Sequence, residues 1–243
     1  MHTVARAGSG FAAIILACAA STRGFAQEAM HSAPPTRSGR AAAVASALLL
    51  CATAAFDAKL ERYTIAHRST ALDRVAVAVD PLGRAQYIVP TLAAGYLVSR
   101  LAGRRSLAGA VVRVTAGYAA ADAIEATLKP IVGRRRPAAG DARAFHPFAR
   151  RDEWHSFPSA HTVHATALAA AIAAETQRPW VTGIGLGAAA LVGVQRVYTG
   201  AHWPSDVVAG AIIGAATGRQ LTRALRRHGR LSAHSFRSGR PGS

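Results

Sequence analysis

Three short clusters between Lys129 and Asp206 hold side chains able to grip an anion and attack it. The first reads Lys129-Pro-Ile-Val-Gly-Arg-Arg-Arg136-Pro137, and the second Ser156-Phe-Pro158-Ser159-Ala160-His161. The third reads Arg196-Val-Tyr-Thr-Gly-Ala-His202-Trp-Pro-Ser-Asp206. A phosphoryl group in transfer spreads negative charge over three equatorial oxygens, so positioned cations carry much of its catalysis. Lys129, Arg136 and Arg196 supply such cations, and an arginine fork meets two phosphate oxygens at once. Lys59 and Lys129 are the lysines among 29 cationic residues; lysine at 129 fits a need for a compact ammonium there.

Pro158-Ser159 ahead of an apolar run predicts a helix start, with Ser159 as cap and free backbone N–H groups that favour an anion. His161 falls in that first turn, where it could protonate a leaving-group oxygen. His202 and Asp206 stand one helical turn apart, which predicts a carboxylate beside an imidazole. Asp206 would then hold one ring nitrogen's proton and leave the other nitrogen free to attack phosphorus. Asp122, Glu125 and Lys129 share a helix face. Glu125 is expected to support Lys129 or a nearby arginine, with a purely structural salt bridge as the alternative. Arg134, Arg135, Arg150 and Arg151 read as solvated or headgroup-facing, and His155 and His164 as loop or helix-face histidines.

These clusters need rigid elements to bring them together, and the chain supplies apolar blocks. Half of it is apolar, and its net charge is +17. Such charge suggests a nucleic-acid binder, but the blocks and the lack of any finger or stacking pattern argue against one. A membrane protein with arginine-rich loops fits better. Six stretches, about 41–56, 86–101, 107–128, 159–174, 180–194 and 207–221, predict an all-α helical bundle with six transmembrane helices. If each stretch crosses once, all three clusters lie on one side of the membrane. Residues 57–74 alternate as an amphipathic surface helix would, and Trp154, Trp180 and Trp203 fall near stretch ends as interfacial anchors do. Cys18 and Cys51 sit in apolar runs and read as packing residues. Residues 1–40 read as a signal-like segment followed by a disordered linker, and residues 226–243 as a basic disordered tail.

In order, Lys-x6-Arg-Pro, Pro-Ser-x-His and Arg-x5-His-x3-Asp resemble the type-2 phosphatidic acid phosphatase superfamily. Relatives of that family include bacterial class A acid phosphatases and vanadium haloperoxidases. The resemblance covers about residues 41–225. It implies a bacterial membrane phosphatase that hydrolyses a lipid phosphate or diphosphate monoester, with no cofactor and no metal. By the same resemblance His202 is the nucleophile that forms a phosphohistidine, Asp206 orients it, and His161 is the acid. Lys129, Arg136, Ser159 and Arg196 bind the phosphate, and Glu125 stands behind them. Two positions depart from the pattern: Ala160 replaces the usual glycine and Gln195 the usual serine.

Other readings are a vanadate-dependent haloperoxidase, a soluble non-specific acid phosphatase, or a non-catalytic metal-binding, transport or scaffold protein. The metal reading would use His161, His164, His202 and Asp206. The lipid itself stays open among undecaprenyl diphosphate, phosphatidate, phosphatidylglycerol phosphate and smaller esters, and so does the oligomeric state. Arg100, Arg104, Arg105, Arg178 and the tail arginines fall on one side, which the positive-inside tendency makes cytoplasmic. The clusters then face the periplasm or exterior of the bacterial inner membrane. Cleavage after Ala26 would invert that arrangement; a start at Met30, or an uncleaved segment kept inside, would preserve it.

Overall fold

The structure, a computed structural model, describes residues 37–238. The signal-like segment and the alternative start at Met30 lie outside the described residues. Among these residues the fold is all-α, with seven helices and no strand. They are α1 (Arg37–Ala66), α2 (Thr70–Val79), α3 (Ala85–Leu101), α4 (Arg105–Val132), α5 (Ala160–Thr176), α6 (Pro179–Tyr198) and α7 (Pro204–Ser238). Each of the six apolar stretches lies within one of the helices α1 and α3–α7, apart from Ser159, the cap of α5. By length and composition, α1, α4 and α6 are apolar enough to cross a membrane.

Helix α5 is the hub and packs against α4, α6 and α7, while α1 lies against α7 and α3 against α4. A helix apolar on every face must be surrounded, and α5 is largely alanine with Thr162, Val163, Ala165, Ala167 and Ala171 buried. Its tightest neighbour is α7, which presents Gly210, Gly214 and Gly218 one turn apart. A Cβ at these glycines would stand 2.8, 2.5 and 2.4 Å from the carbonyl oxygens of Ser159, Val163 and Ala167. Small residues at that spacing let two helix backbones touch. Their contact sets the second motif against the third.

Helix α4 stops at Gly133, which adopts a left-handed conformation with φ of 58° and returns its N–H to Lys129 O at 2.9 Å. Glycine takes that conformation without penalty. A Cβ there would also collide with the His146 carbonyl at 2.0 Å. The chain therefore turns sharply and sends Arg134, Arg135 and Arg136 across the end of the bundle.

Several expectations are corrected here. No separate amphipathic helix covers residues 57–74: α1 continues to Ala66, and α2 starts afresh behind Ser69, whose hydroxyl accepts from Leu72 N at 3.3 Å. Asp57, read as part of that surface helix, is buried. The linker read over residues 31–40 is already helical from Arg37, and α7 carries the helix through residues 226–238, where a disordered tail was expected. Trp203 is no interfacial anchor. It is buried, and its indole N–H donates to Arg135 O at 2.7 Å. Trp180, at the start of α6, is 62% exposed, as an anchor is.

Candidate active site

The site lies at one end of the bundle, where α4 ends, α5 begins, α6 ends and α7 begins. His202 sits in the short loop between α6 and α7 and is buried. Its Nδ1 lies 2.7 Å from the Ser156 carbonyl, which can only accept, so Nδ1 carries the ring proton. Its Nε2 lies 3.4 Å from Arg136 Nη1, a group that can only donate. Both neighbours demand one tautomer, with Nε2 unprotonated and its lone pair facing the Arg136 guanidinium. Burial pushes the imidazole down to about 4, and Arg136 and Lys129 push the same way against Asp206. The ring is therefore neutral at ordinary pH.

Asp206 lies within ion-pair distance of His202, 3.9 Å from Nδ1, which is beyond hydrogen-bond length. Its tighter contacts fix the surroundings. It accepts from Ser156 Oγ at 2.5 Å, Trp203 N at 3.0 Å and Arg134 Nη1 at 2.7 Å. The bond to Trp203 N also caps the start of α7. The proton-bearing nitrogen of His202 thus meets Ser156, and Asp206 holds Ser156.

Arg134 corrects the reading as a solvated arginine. It is buried, and besides Asp206 it reaches Asp57 Oδ2 and Ser205 Oγ, both at 2.7 Å. Asp57 in turn accepts from Ser205 N at 2.8 Å and Ser205 Oγ at 2.5 Å. The result is a closed network, Asp57–Arg134–Asp206, linking α1 to the loop and to α7. Two carboxylates share one guanidinium, which is the arrangement that lets buried charges persist.

The remaining cations converge from other elements. Lys129 pairs with Glu125 one turn earlier and also donates to Pro158 O at 3.1 Å, which ties the first motif to the second. Arg136 donates to Ala201 O at 3.0 Å and Asp152 Oδ1 at 3.1 Å. Arg196, near the end of α6, donates to Asp80 Oδ1 at 2.8 Å. The same carboxylate stands 3.5 Å from His161 Nε2, a buried nitrogen with no hydrogen-bond partner, and 3.4 Å from Gln195 Nε2. Ser159 is buried at the N-cap position of α5, but its hydroxyl caps no backbone N–H and accepts from Thr162 Oγ1 at 3.0 Å.

Sequence reasoning missed Asp57, Asp80, Ser156 and Arg134. The first two lie far from the motifs along the chain, and no spacing rule reaches them. The signal for Asp57 is a single carboxylate at the site end of an apolar stretch, where a charge needs a partner. His155 and His164 are engaged away from the centre. His155 Nε2 meets Ala149 O at 2.9 Å, while His164 bridges Gly83 O at 3.1 Å and Asp122 at 2.6 Å. The metal set His161, His164, His202 and Asp206 does not converge. Among the described residues, the donors within 4.8 Å of one another are Asp122, Glu125 and His164. Of these, Glu125 holds Lys129, and His164 has both ring nitrogens hydrogen-bonded.

A bundle of apolar helices that presents cations and two histidines at one end has the build of a membrane protein and the charge to receive an anion. Residues 110–230 match the model of the PAP2 superfamily, and the chain belongs to that family. It is 40% identical over 91 residues to a lipid A 1-phosphatase of Rhizobium johnstonii, covering 36% of each chain. It is 38% identical over 60 residues to an undecaprenyl-diphosphatase of Sulfolobus acidocaldarius, covering 25% of this chain and 29% of that one. The chain thus spans about a third of the length of these curated relatives. The crystal structure of the first transmembrane PAP2-type phosphatidylglycerolphosphate phosphatase from Bacillus subtilis superposes with a TM-score of 0.59 at 22% identity. That likeness covers 76% of this chain and 96% of the other, and it is a likeness of fold. Asp57 and Asp80 both lie outside the family match.

Proposed function

We propose that this protein is a membrane phosphatase that hydrolyses a lipid phosphate or diphosphate monoester. The observation that carries the reading is the forced tautomer of His202, with a neutral Nε2 lone pair beside the Arg136 guanidinium. Phosphate oxygens arriving at Arg136, Lys129 and Arg196 bring phosphorus to that nitrogen. Nε2 attacks as the bond to the leaving oxygen breaks, and His161 donates a proton to that oxygen. Water then attacks the phosphohistidine with His161 as base, releasing inorganic phosphate and restoring neutral His202.

Within this reading Asp206 stabilises the charge that develops on the His202 ring, and it orients the ring through Ser156 and the loop. Ser159 serves through the N–H groups at the start of α5. Lys129 is steadied by Glu125. The names of the relatives support an amphiphilic phosphate as substrate, and the apolar helices support lateral access from a bilayer. The site faces the periplasm or exterior of a bacterial inner membrane, a reading supported by the arginines that cluster at the other end of the bundle.

The test is phosphate release by purified protein in detergent from undecaprenyl diphosphate, phosphatidate, phosphatidylglycerol phosphate and a lipid A 1-phosphate. At least one lipid is hydrolysed with EDTA present, and vanadate inhibits as a five-coordinate analogue would. No release from any of them, or activity that EDTA abolishes and a metal restores, overturns the reading. Reporter fusions after Arg143 and at the C-terminus test the orientation.

A further inference from the structure

The end of the bundle opposite the site carries a feature that catalysis leaves unused. Between the first half of α1 and the faces of α5, α6 and α7 lies a groove of about 1250 Å³. That exceeds the roughly 300–1,000 Å³ usual for a small-molecule pocket. The gap exists because the facing surfaces are small: Ala173, Ala174, Ala211 and Ala215 form its floor, and Ser46 of α1 faces them. A second hollow of about 570 Å³ shares Leu186, Val208, Ala211 and Ala215 with it, so one apolar furrow follows α1 up the bundle.

The furrow ends in cations. Arg178, Arg219 and Arg223 line its lower end, and no acidic residue lines the groove. No ion pair joins any of the three to a carboxylate among the described residues. Arg219 and Arg223 sit one turn apart on α7, where like charges repel unless an anion lies between them. By helical rise, Arg219 and Arg223 stand about 20–25 Å along α7 from Asp206. That separation approaches the roughly 30 Å hydrocarbon thickness of a bilayer, so a bilayer with the site at one face has these arginines near the other.

We propose that this groove binds an anionic phospholipid of the leaflet opposite the catalytic site, with its phosphate on Arg178, Arg219 and Arg223 and its acyl chains between α1 and the alanine floor. Charge complementarity selects the headgroup, and the apolar furrow selects a ligand with long chains. The site is independent of turnover at His202.

Full-length protein, stripped of lipid in detergent and saturated with vanadate at the catalytic site, is offered equal dioleoyl phosphatidylglycerol and dioleoyl phosphatidylcholine. Native mass spectrometry then shows preferential retention of phosphatidylglycerol. The Arg219→Gln/Arg223→Gln variant loses that preference by roughly 30-fold, as expected for two arginines near an anionic headgroup, and releases phosphate at the wild-type rate. Ser46→Trp, which fills the groove and keeps the arginines, lowers retention while the melting temperature reports a folded protein. Inorganic phosphate and glycerol 1-phosphate fail to displace the lipid, because they lack chains. Equal retention of the two lipids, or an unchanged preference in the double arginine variant, overturns the proposal. So does displacement by the free anions, or a dimer that Ser46→Trp dissolves.

Discussion

The two histidines of the site are held in opposite ways. His202 is over-determined. Its Nδ1 is committed to Ser156 at 2.7 Å, and behind it Asp206, Arg134, Asp57 and Ser205 form a closed set of short contacts. His161 is under-determined, because its buried Nε2 has no hydrogen-bond partner and stands 3.5 Å from the Asp80 carboxylate. The contrast suits the two roles proposed. A nucleophile gains from being fixed before substrate arrives, since misplacement of about 1 Å can cost a hundredfold. An acid that must meet a leaving oxygen needs an unspent valence, and the substrate itself completes its contacts.

The comparison can be broken from the rigid side first. His202→Ala should lower kcat by about 10³-fold or more while circular dichroism still reports a folded helical protein. Substrate quenched in mid-turnover should leave acid-labile phosphate on the wild type and none on the variant. Full activity in His202→Ala would end the mechanism.

Arg134→Leu comes next, because it strands Asp57 and Asp206 in a buried place with no cation. Breaking a buried pair typically costs about 3–5 kcal/mol, so its melting temperature and kcat should both drop. Asp57→Asn leaves Arg134 on Asp206 and should lower kcat less, with KM nearly unchanged, since Asp57 touches no proposed phosphate ligand. A KM effect without a kcat effect would place Asp57 elsewhere in the reaction.

A pH profile sharpens the comparison further. The nucleophile must be neutral, and burial with nearby cations holds the His202 imidazole at about 4. Activity should therefore persist on acidification until about pH 4 and fall below it, once the titration of the substrate is divided out. Arg136 is one of the cations that depress the value, so Arg136→Gln should move the acid limb to higher pH. A limb that stays in place would mean another group controls it.

The smallest effect is expected on the loose side. Asp80→Asn removes the carboxylate that pairs with Arg196. Phosphate and vanadate should then bind several-fold tighter, because a competitor for the guanidinium is gone, while leaving-group protonation slows modestly. Weaker vanadate inhibition would show that Asp80 instead holds Arg196 in its productive place.

How much of this was legible in the sequence depends on how far apart the partners lie along the chain. Helical periodicity placed the six apolar stretches and the one-turn pair Glu125–Lys129, because both are set by local geometry of a few residues. It did not place the partner of the His202 ring proton, which is the Ser156 carbonyl and not Asp206, because His202 lies in a loop before α7. It failed at Arg134, which lies in the same run as Arg136 and cannot be told from it by type or flanking sequence. It failed also at residues 57–74, where alternation of polar and apolar residues signalled a surface helix. The polar residue Asp57 faces inward, because Arg134 and Ser205 N–H need an acceptor there. The stripe Gly210, Gly214, Gly218 went unread, although small residues one turn apart are the signal of a close-packing helix face.

The sequence by itself determined the candidate reacting groups and the helical stretches that carry them, both consequences of residue type and short-range sterics. The tertiary structure alone decided which nitrogen of His202 is free, because that depends on a carbonyl from Ser156 and a guanidinium from Arg136. It also decided that Asp57 and Asp80 belong to the site. Buried charges must be neutralised by whatever the fold brings within about 3 Å, and that choice is made by packing across the chain.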